Sequence, residues 1–358
     1  MKKQSQTQQS PRFKPAFFQL SRCAAAALLL TAGIAAHAHE GHDGADTPSP
    51  ESHGPAGVMY DHMHAKGEWM FGYRFSQTRQ GGGMQHGTDN VGNAELDAAG
   101  YHMKPTSMVM NMHMLDIMYA PTDWFNIMVM PMFMEMPMGM EGLPMMRHGM
   151  GPMTHSTRGM GDTPVSALFR LYDDGTHHVQ VGATVSVPTG SVSEKNVNGK
   201  FTHYGMQLGS GTWDAMPSIT YTGHSGKWNW GLQADAVLPM QDANASGYRL
   251  GNKLHLTGWG GYKLADWLNM TSRLSYTAQG AIKGEYNGPH TTGMPDDDTA
   301  NYGGKVVEVG VGLNAMAGSG PLKGYRLGVE YVEPVAQNLN GFQLKRQPSL
   351  FLNVTKAF

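Results

Sequence analysis

The chain ends with Ser349-Leu-Phe-Leu-Asn-Val-Thr-Lys-Ala-Phe358, a stretch in which apolar and polar side chains alternate. Successive side chains of a β-strand point to opposite faces of its sheet. One face is apolar except for Lys356, and it carries Leu350, Leu352, Val354 and Phe358. The other face carries Ser349, Asn353 and Thr355, together with Phe351 and Ala357. Such a strand can face lipid on one side and water on the other. The alternative is an edge strand of a soluble β-domain.

The first 38 residues have the features of an export signal. Positive side chains precede a run of apolar or small residues from Cys23 to Ala36, and Ala36-His37-Ala38 has the small-x-small form of a cleavage site. The apolar run is too short to cross a bilayer as a mature helix. A lipid anchor on Cys23 is less favoured, because Arg22 precedes the cysteine and the apolar run follows it. We therefore expect a signal peptide at 1–38 and a mature chain without cysteine.

The composition of the remaining 320 or so residues fits a barrel. The chain has 47 glycines and 9% aromatic residues, and no long apolar segment follows the signal. A barrel strand dilutes its lipid-facing residues with polar residues that point inward. The net charge of −2 gives no reason to expect nucleic acid as a partner.

Alternating segments recur along the chain, separated by connectors of two lengths. We predict twelve strands, at 67–78, 106–120, 124–137, 163–172, 177–187, 211–223, 228–239, 248–263, 267–279, 304–317, 323–333 and 348–358. Every second connector is short, as at Pro121-Thr122-Asp123 and Leu264-Ala265-Asp266, and those between them are longer. This alternation is typical of an outer-membrane barrel with tight periplasmic turns and long external loops. A soluble sandwich gives no reason for it.

The sequence therefore predicts an all-β fold, a transmembrane antiparallel β-barrel of about twelve strands, in the outer membrane of a Gram-negative bacterium. The barrel occupies 67–358. Residues 39–66 are expected to form a flexible lead-in, because they combine five histidines with Gly, Pro and Asp and show no apolar periodicity. Two short turns repeat a Tyr-x-x-x-Asp-Trp-x-Asn spacing, beginning at Tyr119 and Tyr262, which places amphipathic rings at one rim.

Methionine is concentrated in one part of the chain, because 18 of the 29 methionines lie from Met103 to Met160. They alternate along the second and third predicted strands, so each set occupies one face. Asp116 shares that face, and a carboxylate in lipid is costly, so we expect the face to line the lumen. The expected lumen-lining residues are Met108, Met110, Asp116, Asn126, Met128, Met130, Met132 and Met134. Asn111, His113 and Glu135 on the opposite face argue against this unless they lie near or above the membrane surface. The alternative is that methionine serves as a plain hydrophobe facing lipid.

Several segments combine thioethers with imidazoles. Thioethers are soft ligands suited to Cu(I), and imidazole suits Cu, Zn and Ni. The candidate ligands are His62, Met63, His64, Met112, His113, Met114, Met145, Met146, His148, Met150, Met153 and His155. Their spacing is irregular, so the alternative is that methionine acts as an adaptable apolar filler. No cofactor is required, and copper is the candidate ion.

Four stretches resemble a proteobacterial outer-membrane family, the transporter or "MetA-pathway of phenol degradation" family. They begin at Gly57-Val-Met-Tyr-Asp-His-Met-His, Met118-Tyr-Ala-Pro-Thr-Asp-Trp, Val187-Pro-Thr-Gly and Met206-Gln-Leu-Gly-Ser-Gly-Thr. The resemblance implies an outer-membrane barrel with a transport role, and its name implies aromatic substrates. It implies no catalytic residues.

The chain carries no catalytic signature such as Gly-x-Ser-x-Gly or His-Glu-x-x-His, so we do not expect an enzyme. We expect a channel or transporter for small solutes, linked to copper or another soft metal by the Met/His-rich elements. A surface metal-binding barrel without transport and a conduit for hydrophobic aromatic compounds are the alternatives. The expected partners are outer-membrane lipids, solutes or metal ions, and the assembly machinery, since a terminal strand ending in Phe358 resembles the signal that this machinery reads.

Overall fold

The computed structural model describes residues 49–144 and 151–358. The expected signal peptide, residues 39–48, and the candidate ligands Met145, Met146, His148 and Met150 lie outside these ranges. Within them the strands are β1 (Trp69–Gly87), β2 (Asp89–Val91), β3 (Met103–Thr122), β4 (Phe125–Val129), β5 (Met132–Gly142), β6 (Met153–Met160), β7 (Thr163–Asp173), β8 (His177–Val187), β9 (Asp214–Ser225), β10 (Trp228–Pro239), β11 (Tyr248–Arg249), β12 (Lys253–Ala265), β13 (Leu268–Gln279), β14 (Lys283–Gly284), β15 (Gly304–Met316) and β16 (Tyr325–Ala357). One α-helix, α1 (Asn93–Ala98), and four 3-10 turns at Tyr204–Met206, Pro295–Asp297, Thr299–Asn301 and Gly320–Leu322 complete the described elements.

Eleven of these strands close into a ring. The order around it is β1, β16, β15, β13, β12, β10, β9, β8, β7, β4 and β3, and β3 pairs with β1 to complete the circle. Every pairing is antiparallel, yet a ring of alternating directions needs an even number of strands. β16 resolves this because it turns back near Gly341: residues 326–339 pair with β15 and residues 339–357 pair with β1. With two limbs from β16 the ring has twelve strands, which confirms the predicted fold class.

The strand ends differ from the prediction on the side of the long connectors. β1 continues to Gly87 and both limbs of β16 continue to the reversal, whereas 79–105 and 334–347 were expected to be loops. Pairing there is antiparallel but interrupted by register shifts. The alternation of apolar and polar side chains disappears where both faces of a strand are polar. The sequence pattern therefore predicts a strand end at the membrane surface, although backbone pairing continues beyond it.

The outer surface of the barrel is apolar. Exposed aliphatic side chains occur all around it: Leu115, Ile127, Val165, Ile219, Leu232, Leu256, Leu274, Val311 and Leu327. The rim with the short turns exposes five aromatic side chains, Trp69, Trp124, Tyr172, Trp228 and Trp267. An aliphatic band edged by amphipathic rings matches the hydrocarbon core and the headgroup level of a bilayer. The part of the chain that the structure describes contains no helix of sufficient length and apolarity to cross a membrane.

The C-terminal strand closes the ring in the predicted orientation. Its inward residues Ser349, Asn353 and Thr355 are buried, while Leu350 is exposed. At the rim the Phe358 backbone N–H donates to the Trp69 carbonyl at 2.8 Å, and the Trp69 N–H donates to the Phe358 carbonyl at 3.1 Å. The last residue of the chain is therefore hydrogen-bonded to the first residue of the barrel.

Residues 49–66 differ most from expectation. In place of a flexible lead-in, this segment folds against the inner wall of the barrel, in the half next to the short turns. Ala56, Val58, Tyr60 and Asp61 within it are all buried. We refer to residues 49–66 as the plug. The expectation of flexibility is wrong here. A low apolar content predicts a disordered chain, but it is equally compatible with a segment whose backbone is bound by polar lumenal side chains.

Candidate functional site

The plug is held mainly through its backbone. Besides the carbonyl of His64, seven of its carbonyls accept hydrogen bonds from polar side chains that project inward from different strands. The donors are Arg326 of β16 to Ser49, Asn314 of β15 to His53 and Gly54, Arg74 of β1 to Ala56 and Val58, Gln233 of β10 to Met59 and Tyr60, and Gln180 of β8 and Thr220 of β9 to Tyr60. Asn126 of β4 pairs with both backbone groups of His64, at 2.6 and 3.2 Å. A polar lumen thereby satisfies an irregular backbone that would otherwise be costly to bury.

Two buried ion pairs, each formed between different strands of the wall, lie against the plug. Arg74 pairs with Asp116, and Arg273 pairs with Glu330 at 2.7 Å. Glu330 also accepts the Gly57 N–H at 2.8 Å. A Cβ at Gly57 would lie 2.8 Å from the ends of both the Arg273 and the Glu330 side chains, so a larger residue here must displace one of them. Each charge is compensated by its partner, as burial demands.

Methionines surround the plug on the side of β3 and β4. Tyr60 of the plug packs in a buried cluster with Met70, Met114, Met118, Met128, Met130 and Leu168. Met59 and Met63 of the plug, together with Met112 and Met132 of the wall, pack against that cluster. Tyr60 has a φ of 59°, the only left-handed non-glycine residue in the described ranges. Such a conformation is strained for a bulky residue, and it persists because the surrounding side chains fix the ring.

The methionines continue from the plug to the end with the long connectors. A second buried cluster contains Met84, Met108, Met134, Met136, Met138, Met140, Met206 and Met294. Met112 and Met132 pack against both clusters and so connect them. Cross-strand pairs within this surface include Met118 with Met128, Met112 with Met134 and Met108 with Met138. We refer to the methionines of the two clusters and those packed against them as the Met column.

All eight residues predicted to line the lumen lie on the inward face of β3 and of the strand formed by β4 and β5. Met108, Asp116, Asn126, Met128, Met130 and Met134 are buried, and Met110 and Met132 are partly buried. The break at Met130 and Pro131 separates β4 from β5 without reversing the alternation, since Met128 and Met132 keep the same face. Polar residues on the outer face, Asn111 and Glu135, lie opposite each other near the long-connector end.

The long connectors form a cap over that end. Phe201, Tyr204, Tyr248, Ile282 and Tyr286 form its buried cluster, with the Tyr204 and Tyr286 rings stacked 4.3 Å apart. Asp162 joins two of the stretches on which the resemblance rests, because it accepts from the N–H groups of Gly190, at 2.9 Å, and Ser210, at 2.7 Å. Leu208, within the second of those stretches, belongs to the second buried Met cluster. The cap therefore connects to the Met column.

The structure separates some of the predicted metal ligands. In Met112-His113-Met114 the two methionines face inward, whereas His113 lies on the outer face and its Nδ1 is 2.7 Å from the Tyr73 hydroxyl. These three residues therefore cannot bind one ion, because consecutive side chains of a strand point to opposite faces. Met153 packs on the second buried Met cluster, at the end with the long connectors.

His155 lies in the cap beside groups that the sequence did not indicate. Its ring is 5.9 Å from that of His203, whose Nδ1 lies 2.6 Å from the Asp297 carboxylate. Burial lowers the pKa of His203, but the hydrogen bond and charge of Asp297 outweigh burial and raise the pKa overall. Burial also raises the pKa of the adjacent Asp296 to about 6.

The plug brings together a second set of imidazoles. His62 Nδ1 lies 3.0 Å from Asp61 Oδ1, and His53 Nδ1 lies 3.7 Å from Asp61 Oδ2. His64 is adjacent, with its ring 5.0 Å from that of His62. Met63, the other predicted ligand of this segment, packs instead against the buried Met cluster that contains Tyr60. Sequence reasoning counted His53 only as part of the lead-in and missed Asp61, although an acid next to a histidine in a His-rich stretch is a signal that could have identified it.

Comparisons with known proteins agree with this architecture. The sequence profile of the family described as MetA-pathway of phenol degradation matches residues 118–313. The crystal structure of an outer membrane channel from Pseudomonas putida F1 is similar, with a TM-score of 0.55 and 17% identity over 84% of this chain and 98% of that chain. A Pseudomonas aeruginosa FadL homologue gives a TM-score of 0.41, with 10% identity over 81% of this chain and 90% of that chain. A search of curated proteins found no match. The profile match spans more than half of the chain, which is thus an outer-membrane β-barrel belonging to the family of the MetA-pathway of phenol degradation.

Proposed function

We propose that this protein is an outer-membrane channel for small solutes, and that its Met column binds and conducts a soft cation, with Cu(I) as the fitting ion. The observation that carries the proposal is the continuity of the column, which extends from the plug through Met112 and Met132 to the cap. Thioether sulfur is a soft donor that prefers Cu(I) to hard cations. Many weak, similar sites in sequence suit conduction better than one tight site, because the ion must also leave.

A second candidate function is the passage of hydrophobic aromatic compounds. The same methionines are apolar and conformationally adaptable, so the column could accommodate an aromatic ring as readily as an ion. The description of the family, which refers to phenol degradation, supports this candidate. A barrel that binds metal at its surface without transport is the third possibility.

Replacing sulfur without changing volume separates these functions. Leucine and methionine exchange at little cost in packed interiors. We expect the quadruple variant Met112→Leu, Met114→Leu, Met132→Leu and Met134→Leu to keep its fold and to lose most uptake of Cu(I) or Ag⁺ into cells or proteoliposomes. The matched control is Met270→Leu with Met240→Leu, since both of these methionines are exposed and outside the column.

The outcomes distinguish the candidates. Loss of Cu(I) flux in the quadruple variant alone supports the soft-cation channel. Unchanged phenol flux in both variants, with no Cu(I) flux in the wild type, supports the hydrophobic conduit. Copper binding without flux supports a binding barrel, and the absence of any conductance or solute flux in planar bilayers contradicts a channel altogether.

A further inference from the structure

We propose that His53, Asp61 and His62 form a binding site for one divalent transition-metal ion of the Zn²⁺ or Cu²⁺ class, and that this ion fixes the plug in the lumen. The three side chains each offer one ligand atom, and these atoms all lie within 4.8 Å of one another. Two imidazoles and one carboxylate are the donor set that borderline divalent ions bind, and it differs from the thioethers of the Met column.

The site is built by the fold of the plug. The side chains of His53 and His62 are only 11% and 10% exposed, and that of Asp61 is 3% exposed. The Gly54 N–H donates to Asp61 Oδ2 at 2.7 Å and orients the carboxylate between the two imidazoles. A Cβ at Gly54 would lie 3.3 Å from the Trp259 side chain, so the wall of the barrel supports this turn. The ligands are therefore already close together.

An unsatisfied buried donor or acceptor points to a ligand. Nε2 of His62 and Nε2 of His64 are both buried and have no hydrogen-bond partner. An unpaired polar atom in such a place is costly, and most buried polar groups of native structures have a partner. A bound ion beside the Asp61 carboxylate would supply one for His62. The His53 and His62 ring centroids are 3.6 Å apart, which brings two imidazoles together where a shared cation would stabilise them. A carboxylate beside them supplies the negative charge that a divalent ion requires.

The position of the ligands connects the metal to the plug. His53 precedes and Asp61 follows the segment 54–60, whose backbone is bound by Arg74, Gln180, Gln233 and Glu330. An ion bound at both ends of this segment closes the segment into a loop. The closed loop has fewer conformations in which the segment is detached from the barrel wall. The bound ion would thus keep the plug in place. This regulatory consequence rests on the proposed channel function, whereas metal binding itself does not.

Titration of the full chain in detergent with Zn²⁺ or Cu²⁺ alone, after treatment with a chelator, tests the site. We expect one high-affinity equivalent in the wild type. Replacing an outer-shell partner of a metal usually costs about 10- to 100-fold in affinity, so losing a direct ligand in His53→Ala or His62→Ala should cost at least ~100-fold. The control is His255→Ala, because His255 is also paired with one carboxylate, Asp235, but outside the plug.

A second measurement reports on the plug itself. Zn²⁺ should slow hydrogen exchange of residues 49–66 in the wild type and in His255→Ala, but not in His53→Ala/His62→Ala. Coordination by two nitrogens should appear in the electron paramagnetic resonance spectrum of bound Cu²⁺. Absence of tight binding to the folded wild type, or unchanged stoichiometry in the double variant, would overturn the metal site. If the ion binds but hydrogen exchange of residues 49–66 is the same with and without it, the site stands and its fixing of the plug is refuted, independently of whether the channel conducts.

Discussion

At the scale of single residues, the lumen is built from compensated charges and close contacts. Arg74 with Asp116 and Arg273 with Glu330 are paired across strands, and each pair also binds the plug backbone. Removing one partner of a buried pair leaves an uncompensated charge, which typically costs about 3–5 kcal/mol. Gly57 lies between Arg273 and Glu330, where the absence of a side chain allows the contact. A side chain at this position would therefore disturb a contact that binds the plug to the wall.

Gly57→Val should displace the plug without unfolding the barrel. The added methyl groups must displace Arg273 or Glu330, and overpacking of this kind typically costs about 1–3 kcal/mol. We expect higher bilayer conductance and faster proteolysis within 49–66, with unchanged thermal unfolding of the barrel. Gly260→Ala is the control, because a Cβ there meets nothing within 4 Å. Equal conductance of both variants and the wild type would show that the plug does not obstruct the pathway.

At the scale of elements, each strand of the wall presents lipid-facing and lumenal residues in alternation, while the cap depends on contacts between loops. The cap contact between the Tyr204–Met206 and Pro295–Asp297 turns includes His203, Asp296 and Asp297, with His155 of β6 facing them. Titration of these groups makes the contact depend on pH.

The cap should be more stable in acid than in base. The pKa of His203 is raised in the folded state, so its contribution is present below its ordinary pKa of about 6.5 and is lost as the pH rises through the folded pKa. The pKa of Asp296 is raised to about 6, so the stabilisation from its protonated form is likewise lost as the pH rises from its ordinary range through 6.

Hydrogen exchange of residues 290–302, corrected for intrinsic chemical rates, should be faster at pH 8 than at pH 5. His203→Gln removes one titrating group and should weaken this dependence. His178→Gln is the control, because His178 is paired with Asp173 beside a short turn at the opposite rim. Exchange that is equally protected at both pH values would contradict the assignment.

At the scale of the whole molecule, closure joins the two ends of the barrel. The backbone of Phe358 pairs with that of Trp69, and the Phe358 ring lies 6.1 Å from the Phe71 ring. The two backbone hydrogen bonds do not depend on the Phe358 side chain. A substitution of that side chain can therefore affect recognition of the ring during assembly without affecting closure of the barrel. The resemblance of this strand to the signal read by the assembly machinery predicts that the ring is recognised during assembly.

Phe358→Ala should therefore reduce assembly in cells but not refolding in detergent. We expect several-fold less heat-modifiable, folded protein in outer membranes, because the terminal ring is missing while both backbone hydrogen bonds remain. Leu350→Ala on the same strand is the control. Equal losses in cells and in detergent would mean that the ring contributes only to stability.

The sequence by itself determined the wall of this protein. A sheet with lipid on one side and water on the other requires side chains that alternate with a period of two, connectors that alternate between short and long, and aromatic residues at the rim. These local patterns made it possible to predict the twelve strands and the inward face of Met108 to Met134. Tertiary structure alone decided the plug, the cap and the grouping of His53 with Asp61 and His62. The plug and the cap depend on contacts between residues far apart in the chain, in which polar side chains bind irregular backbone. His53 meets Asp61 and His62 because the wall folds the plug. No local period records such contacts.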